Sequence, residues 1–441
     1  YTGRPSRAFA KALLARIDLM YAGLALRPDQ WIVGGGSTYS VQYNVKDADA
    51  RKALYKEALE ACADIIKNED YKLQSTFKEV FYDQCQDVTD YSQSEVIWAI
   101  PFTQSRGQVL CLNGLKFSDR VAGHMINTED GDTKTVKTKV QSMTFVVPTF
   151  LYDFDPADQR RDVTVCPFNW EYQAASKISS SVDASVLLPG STGSGSELYQ
   201  KFVSADKFCL GKYRAEWMNH KYNVNEDGID MCVIRYADVL LMFAEAALGS
   251  VELNAPVNET GLDAVEQFNK VHTRAGLPAV GSITMDDIIK ERAFEFCGEG
   301  IRKYDLMRWG MLKSKLETTM ARLDDLSNNT GEFAGRLDSL YFKYKVSDDK
   351  IATEGNAYVF DSVSGLALGD VRPATFSKDN GWVAKSIFTD SDDDGSTTKV
   401  LNSEKYYLYS PTADVDARHY WPIFNVNLAA SNGTLWNDYG Y

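Results

Sequence analysis

The stretch Ile288–Gly310, IIKERAFEFCGEGIRKYDLMRWG, constrains this chain more than any other. Glu291, Arg292, Glu295, Glu299, Arg302, Asp305 and Arg308 form an acidic–basic ladder through it, closed by Trp309–Gly310. Thr284, with Asp287 three residues on, predicts a capped helix start. Ile288, Ile289, Arg292, Phe296 and Cys297 fall on helical spacings, so an apolar stripe runs beside the charges. Glu291, Glu295 and Glu299 are four apart and would repel one another on a bare helix. The neighbouring arginines therefore predict a buried ion network that joins this helix to the next.

A row of carboxylates also fits an enzyme, because paired acids do general acid–base work. A glycoside hydrolase using Glu295 and Glu299, or carboxylates from loops, is that reading. Set against it is an Arg–Glu structural lattice, which perturbs carboxylates without any catalysis. The spacing E-R-x-x-E-x-x-x-E-G-x-R-x-x-D-L-x-R-W-G resembles the signature helix of the SusD/RagB family, surface glycan-binding lipoproteins of Bacteroidetes-type outer membranes.

Further stretches carry the same resemblance in order. Gly3–Leu19, GRPSRAFAKALLARIDL, is similar to a family helix G-R-A-t-x-x-A-A-x-A-L-L-A-r-v. Ile234–Ala247, IRYADVLLMFAEAA, resembles R-Y-A-e-v-L-L-m-y-A-E-A. Asn269–Leu277, NKVHTRAGL, matches N-x-V-R-x-R-A-G-L with His272 in place of the first Arg. Tyr420–Ile423 and Asn432–Tyr441 resemble the ending Y-x-P-I … N-x-x-L-x-Q-N-P-G-Y, from which Trp436, Asp438 and Tyr439 depart. In the family the first of these helices lies well inside the chain, whereas here it begins at residue 4. The sequence thus reads as lacking the family's N-terminal region, and with it part of the usual binding surface.

Helical periodicity supports a mostly α reading with tetratricopeptide-like helical hairpins, long irregular loop insertions and a few short strands. Residues 5–21 place Phe9, Leu13, Ile17 and Met20 on one face with Ala8, Ala12 and Ala15 beside it, which permits close helix contact. A polar loop with Gly34–Gly36 leads to a second helix, about 48–67, completing a hairpin. Tyr82–Asp90 reads as a polar turn and Glu95–Phe102 as a buried strand. The chain is expected to be a single SusD-like domain, 1–441. Within it, 1–102 hold the first helical hairpin and strand, and 103–230 an irregular insertion that is the candidate ligand face. Residues 231–324 hold helical hairpins with the signature helix, and 325–441 an irregular C-terminal part. Helices are expected at 234–249, 261–275 and 304–316, and MTFVVPTF at 143–150 as strand. Asp158–Asp162, DQRRD, resembles a D-x-R element and predicts a structural salt bridge.

A net charge of −14 and a pI near 4.9 argue against nucleic acid, which needs clustered Lys and Arg. They equally disfavour electrostatic adhesion to anionic lipid. Seven cysteines lie scattered with no C-x-x-C pair, and an odd count leaves at least one thiol unpaired. The sequence contains no G-x-G-x-x-G, G-x-x-x-x-G-K-[ST] or G-x-S-x-G, and His124, His220, His272 and His419 show no metal-ligand spacing.

Aromatic residues in polar, aperiodic stretches are the better clue to a ligand. A sugar ring offers an apolar C–H face and a rim of hydroxyls, so flat aromatics cover the face while polar side chains bond the rim. Trp170 and Tyr172 with Asn169 and Glu171, Trp217 with Arg214 and Asn219, and Trp382 have that composition. Trp170 or Trp217 is expected to be partly exposed beside a shallow cleft. Asp390, Asp392 and Asp394, before Gly395, open a calcium-loop pattern, but Leu401 stands at the twelfth position, so a solvated acidic loop is the competing reading.

The family resemblance implies a non-catalytic binder of oligosaccharide or polysaccharide, lipid-anchored at the outer-membrane surface. It would cap a SusC-like TonB-dependent transporter and pass the ligand on, with no cofactor required. Rivals are a same-family binder of another nutrient such as peptide, the hydrolase, and a helical-repeat adaptor.

Overall fold

Helix α1 (Arg7–Ala22) starts where Ser6 Oγ accepts the Phe9 amide at 3.1 Å, and α2 (Ala48–Asn68) where Asp47 accepts the Ala50 amide at 2.7 Å. The two pack closely as a hairpin because alanines meet at the interface: Ala8, Ala12 and Ala15 from α1, with Ala58 and Ala61 from α2, are buried. This corrects the expected face. The small side chains face inward, and Ile17 is left 51% exposed, since a close helix approach has no room for the larger ones.

The computed structural model describes residues 3–87, 95–103, 106–116, 125–127, 133–135, 140–166, 168–174, 196–202, 206–218, 226–249, 253, 258–335, 339–343, 382–386, 389–391, 397–399, 401, 408–410 and 414–439. Its architecture is mostly α with tetratricopeptide-like hairpins and short strands, as expected. The connection between α1 and α2 is more ordered than a loop. Strands β1 (Leu24–Gln30) and β2 (Thr38–Tyr43) form an antiparallel hairpin, with Leu26 opposite Val41. Gly34, Gly35 and Gly36 at its tip all have positive φ, which only glycine adopts without strain.

Helix α3 (Phe77–Cys85) opens with a Thr76–Glu79 capping box and occupies residues 82–85 of the expected polar turn. Strand β3 (Val96–Ile100) is where a buried strand was expected. The span 103–230 contains short helices α4 (Val109–Asn113), α5 (Pro148–Leu151) and α6 (Arg160–Thr164). It also contains hairpin β4 (Met125–Asn127)–β5 (Thr133–Thr135) and sheet β6 (Phe145–Val146), β10 (Phe208–Leu210), β7 (Val165–Cys166). Hairpin β8 (Phe168–Ala174)–β9 (Ser196–Phe202) completes it. The expected strand at 143–150 is a two-residue strand running into α5, because Pro148 suits a first helical turn.

Strand β11 (Met231–Arg235) pairs antiparallel with β3 and runs directly into α7 (Tyr236–Leu248), of which every residue from Tyr236 to Ala246 is buried. Around α7 pack α2, α8 (Ala264–Arg274) and α9 (Met285–Phe296). Helix α9 begins with the capping box read from the sequence: Thr284 and Asp287 each accept from the other's backbone amide. It ends at Cys297, and Gly298 turns the chain at φ +82, where an added Cβ would collide with the Leu210 side chain. Helices α10 (Arg302–Arg308) and α11 (Leu312–Asn328) follow. Beyond them are β12 (Ser339–Lys343) paired with β13 (Trp382–Ser386), β14 (Thr389–Ser391) paired with β15 (Thr397–Lys399), and the short exposed α12 (Asn425–Ala430).

Among the described residues, two large apolar cores result, with smaller clusters beside them. One joins α1, α2, α7, α8 and α9; the other lies under the insertion, where Phe77, Phe81, Phe168, Phe208 and Tyr213 pack with Phe294 and Phe333. All seven cysteines are free thiols, and five of them are buried.

Candidate functional site

The ladder lies between the two cores. Arg235 Nη1 donates to Glu95 Oε1 at 2.5 Å and to Glu295 Oε1 at 2.6 Å, and its Nε reaches Glu299 Oε2 at 2.8 Å. Arg160 donates to Asp158 through Nη2 at 2.7 Å and to Glu291 Oε1 through Nη1 at 2.5 Å, realising the salt bridge expected within 158–162. Arg274 reaches Glu95 Oε2 at 2.7 Å and also pairs with Glu295. Lys212 Nζ donates to Glu299 Oε1 at 2.6 Å, and His272 Nδ1 lies 2.9 Å from Glu291 Oε2.

The next charges along α9 and α10 form a second network. Arg292 donates to Asp238 Oδ1 at 2.7 Å and Asp305 Oδ2 at 2.8 Å. Arg308 Nη2 donates to Glu245 Oε2 and Asp305 Oδ1, both at 2.8 Å, and Trp309 Nε1 donates to Glu245 Oε1 at 2.9 Å.

Burial by itself would raise the Glu295 carboxyl, but Arg274, Arg235 and Arg160 outweigh it and hold Glu295 well below the usual carboxylate range. Burial against Arg235 and Lys212 leaves Glu299 lowered in the same way, and burial against Arg292 and Arg16 leaves Asp238 lowered. A general acid must keep its proton near neutral pH, and a general base must have a lone pair free for its substrate. Glu295 fails the first, and with three arginines around it and no exposure its carboxylate is out of reach of a substrate. The cavity touching Arg235 and Glu299 measures about 10 Å³, which is space for about one water. These residues are a lattice.

The candidate ligand residues are scattered. Asn169, Trp170, Glu171 and Tyr172 share strand β8, opposite Lys201, Gln200, Tyr199 and Leu198 of β9. Asn169 Oδ1 accepts from Cys209 Sγ at 2.9 Å, so it is bound inward. Trp382 opens β13 opposite Lys343. Asn219 lies outside the described residues.

Trp217 corrects the sequence reading: it is 2% exposed and packs in the second core, its ring 6.0 Å from that of Tyr82. Arg214 stacks over it at 4.6 Å and donates to the Gly211 and Asp162 carbonyls at 2.8 and 3.1 Å. Neither has a surface to offer a sugar. Of the calcium-loop residues, Asp390 sits on β14 opposite Thr398, while Asp392 and Asp394 lie outside the described residues. Among the described residues, no cluster of three or more His, Cys, Asp or Glu side chains could hold a metal.

An aromatic cleft was not read from the sequence. The β1–β2 tip meets the C-terminal segment, and Trp31, Tyr420, Trp421, Trp436 and Tyr439 line a cavity of about 370 Å³. Trp31 and Trp436 have ring centroids 6.3 Å apart with planes at 48°. The floor is tied down: Ser37 Oγ donates to Asp438 Oδ2 at 2.7 Å, Asn437 bonds the Ile423 backbone at 2.7 and 3.0 Å, and the Leu26 amide donates to His419 Nδ1 at 3.2 Å. Tyr439 stands where the family's ending has Pro, and Trp436 fills an unspecified position in the same stretch, which was the signal available in the sequence.

The sequence model of the SusD family matches residues 94–441. A SusD-like protein of Bacteroides ovatus is 42% identical over 79 residues, 18% of this chain and 13% of that protein. SusD-like protein P25 of Formosa agariphila is 41% identical over 90 residues, 18% of this chain and 15% of that one. Among solved structures, a SusD homolog from Bacteroides thetaiotaomicron matches with a TM-score of 0.52 at 19% identity, covering 73% of this chain and 56% of the homolog. That likeness is one of fold.

Proposed function

This chain belongs to the SusD family, and on that premise we propose that it is a non-catalytic, cell-surface binder of oligosaccharide or polysaccharide that hands its ligand to a SusC-like TonB-dependent transporter of the outer membrane. The observation that carries the non-catalytic part is the saturation of the ladder. Glu291, Glu295 and Glu299, which look like catalytic acids in the sequence, each accept from Arg, Lys or His in the interior, and the cavity that touches Glu299 is too small for a sugar. The family's most specific motif thereby becomes scaffold, and binding is left to surface loops and strands.

Trp170 and Tyr172 of β8, and Trp382 of β13, remain the proposed stacking residues, with Glu171 and Asn219 as rim partners. Asp390, Asp392 and Asp394 remain a proposed calcium loop. Attachment by a lipid anchor is part of the same proposal; among the described residues no helix is long and apolar enough to cross a membrane.

Affinity electrophoresis through gels containing single polysaccharides tests this reading. Retardation of the wild type by at least one glycan, with weaker retardation of Trp170→Ala, is expected. Retardation by none, together with binding to a peptide mixture, would favour another nutrient.

A further inference from the structure

We propose that the cleft between the β1–β2 tip and the C-terminal segment is a second carbohydrate site, one that takes neutral pyranose rings by stacking. The proposal rests on the glycan-binding reading and adds a location and a ligand charge class to it.

Three observations converge. The first is exposure: Trp31 is 56% and Trp421 78% exposed, and bare indole faces are costly to leave in water unless something covers them. The second is shape. A concave space of about 370 Å³ falls within the ~300–1,000 Å³ of small-molecule sites. The Trp31 and Trp436 rings pack against each other, 6.3 Å between centroids and tilted by 48°, so together they make one bent aromatic wall for a sugar face rather than a flat one for a protein surface. The third is rigidity. Tyr439 holds φ +56, a region costly for a bulky residue, and its ring packs 5.6 Å from Tyr39 and 5.7 Å from Tyr420. A wall fixed in advance loses little entropy when a ligand arrives.

Charge selects the class. Asp438 is the one acidic side chain among the described residues lining the cleft, and it lies at the floor. Lys303 Nζ lies 5.5 Å from the Trp421 ring and so takes up one of its faces. An oligomer with a carboxylate on every ring would bring like charge against Asp438, whereas a neutral pyranoside brings hydroxyls that its carboxylate can accept from.

The test compares wild type, Trp31→Ala and Trp421→Ala, by affinity electrophoresis through neutral polysaccharides (xyloglucan, mixed-linkage glucan, galactomannan, starch) and through polygalacturonate. Both substitutions are at exposed positions, and melting temperatures check that the fold is intact. The expected result is tenfold or greater weakening on the neutral glycan that retards the wild type, with unchanged melting. Equal retardation of wild type and both variants would overturn the cleft while leaving glycan binding in place. Retardation of the wild type by none of the glycans would overturn both readings. Tighter binding to polygalacturonate than to every neutral glycan, lost in the variants, would overturn the charge class.

Discussion

Arg235 and Glu295 share a fully buried bond of the lattice: the guanidinium Nη1 lies 2.6 Å from Oε1, and neither residue is more than 1% exposed. The same guanidinium holds Glu95 next to β3 and Glu299 after α9. One side chain thus joins three segments far apart in sequence.

Glu295→Ala leaves Arg235, Arg274 and Arg160 short of a partner in the interior. Breaking a buried pair from one side costs ~3–5 kcal/mol. Urea denaturation is expected to show a loss of that size. An unchanged midpoint would mean that the lattice does not carry the fold.

Acid should act through the same residues. Glu295, Glu299, Asp238 and Asp305 are held below their ordinary values, so each binds its proton more readily in the unfolded chain. Their stabilisation is fully present above ~4, the unfolded carboxylate value, and is lost as pH falls below it. Melting temperatures measured from pH 7 to 3 should not fall until about pH 4 and should then drop steeply. A drop centred near pH 6 would point to histidines instead.

Asp18 works in the opposite sense. It is 4% exposed, its Oδ2 has no hydrogen-bond partner among the described residues, and burial together with Glu57 pushes it up to about 6. The folded chain holds that proton more tightly, so ionisation between about 4 and 6 costs stability as pH rises. Asp18→Asn is expected to raise the melting temperature at pH 7.5 and to change it little at pH 4. A lower melting temperature at pH 7.5 would reveal a partner for the carboxylate.

Trp217 separates packing from recognition. Removing a buried Trp costs ~3–5 kcal/mol, so Trp217→Ala should lower stability strongly, whereas the exposed Trp421→Ala should not. If the two variants melt alike, the burial of Trp217 is in error.

The contrast between these tryptophans shows where the sequence was legible. The α9 cap and the ladder were readable because helical contacts recur three and four residues apart. Their partners were not: Glu95 lies 140 residues from Arg235, and no local pattern announces it. Trp217 misled because its neighbours are polar, yet Arg214 folds inward to bond two carbonyls. The β1–β2 hairpin had a signal in TYSVQY, whose aromatic and β-branched residues suit a strand, but Gly34–Gly36 drew attention to the loop. The aromatic cleft unites residues some 400 positions apart, so only the fold brings them together.

The central claim is that the carboxylate row is scaffold and that the protein binds glycan without cleaving it. The most direct test is an assay of new reducing ends during prolonged incubation with the polysaccharide that retards the wild type most. The account predicts retention of the glycan and no release above a protein-free control. Release that disappears in a folded Glu295→Gln variant would contradict it and restore the ladder as a catalytic site.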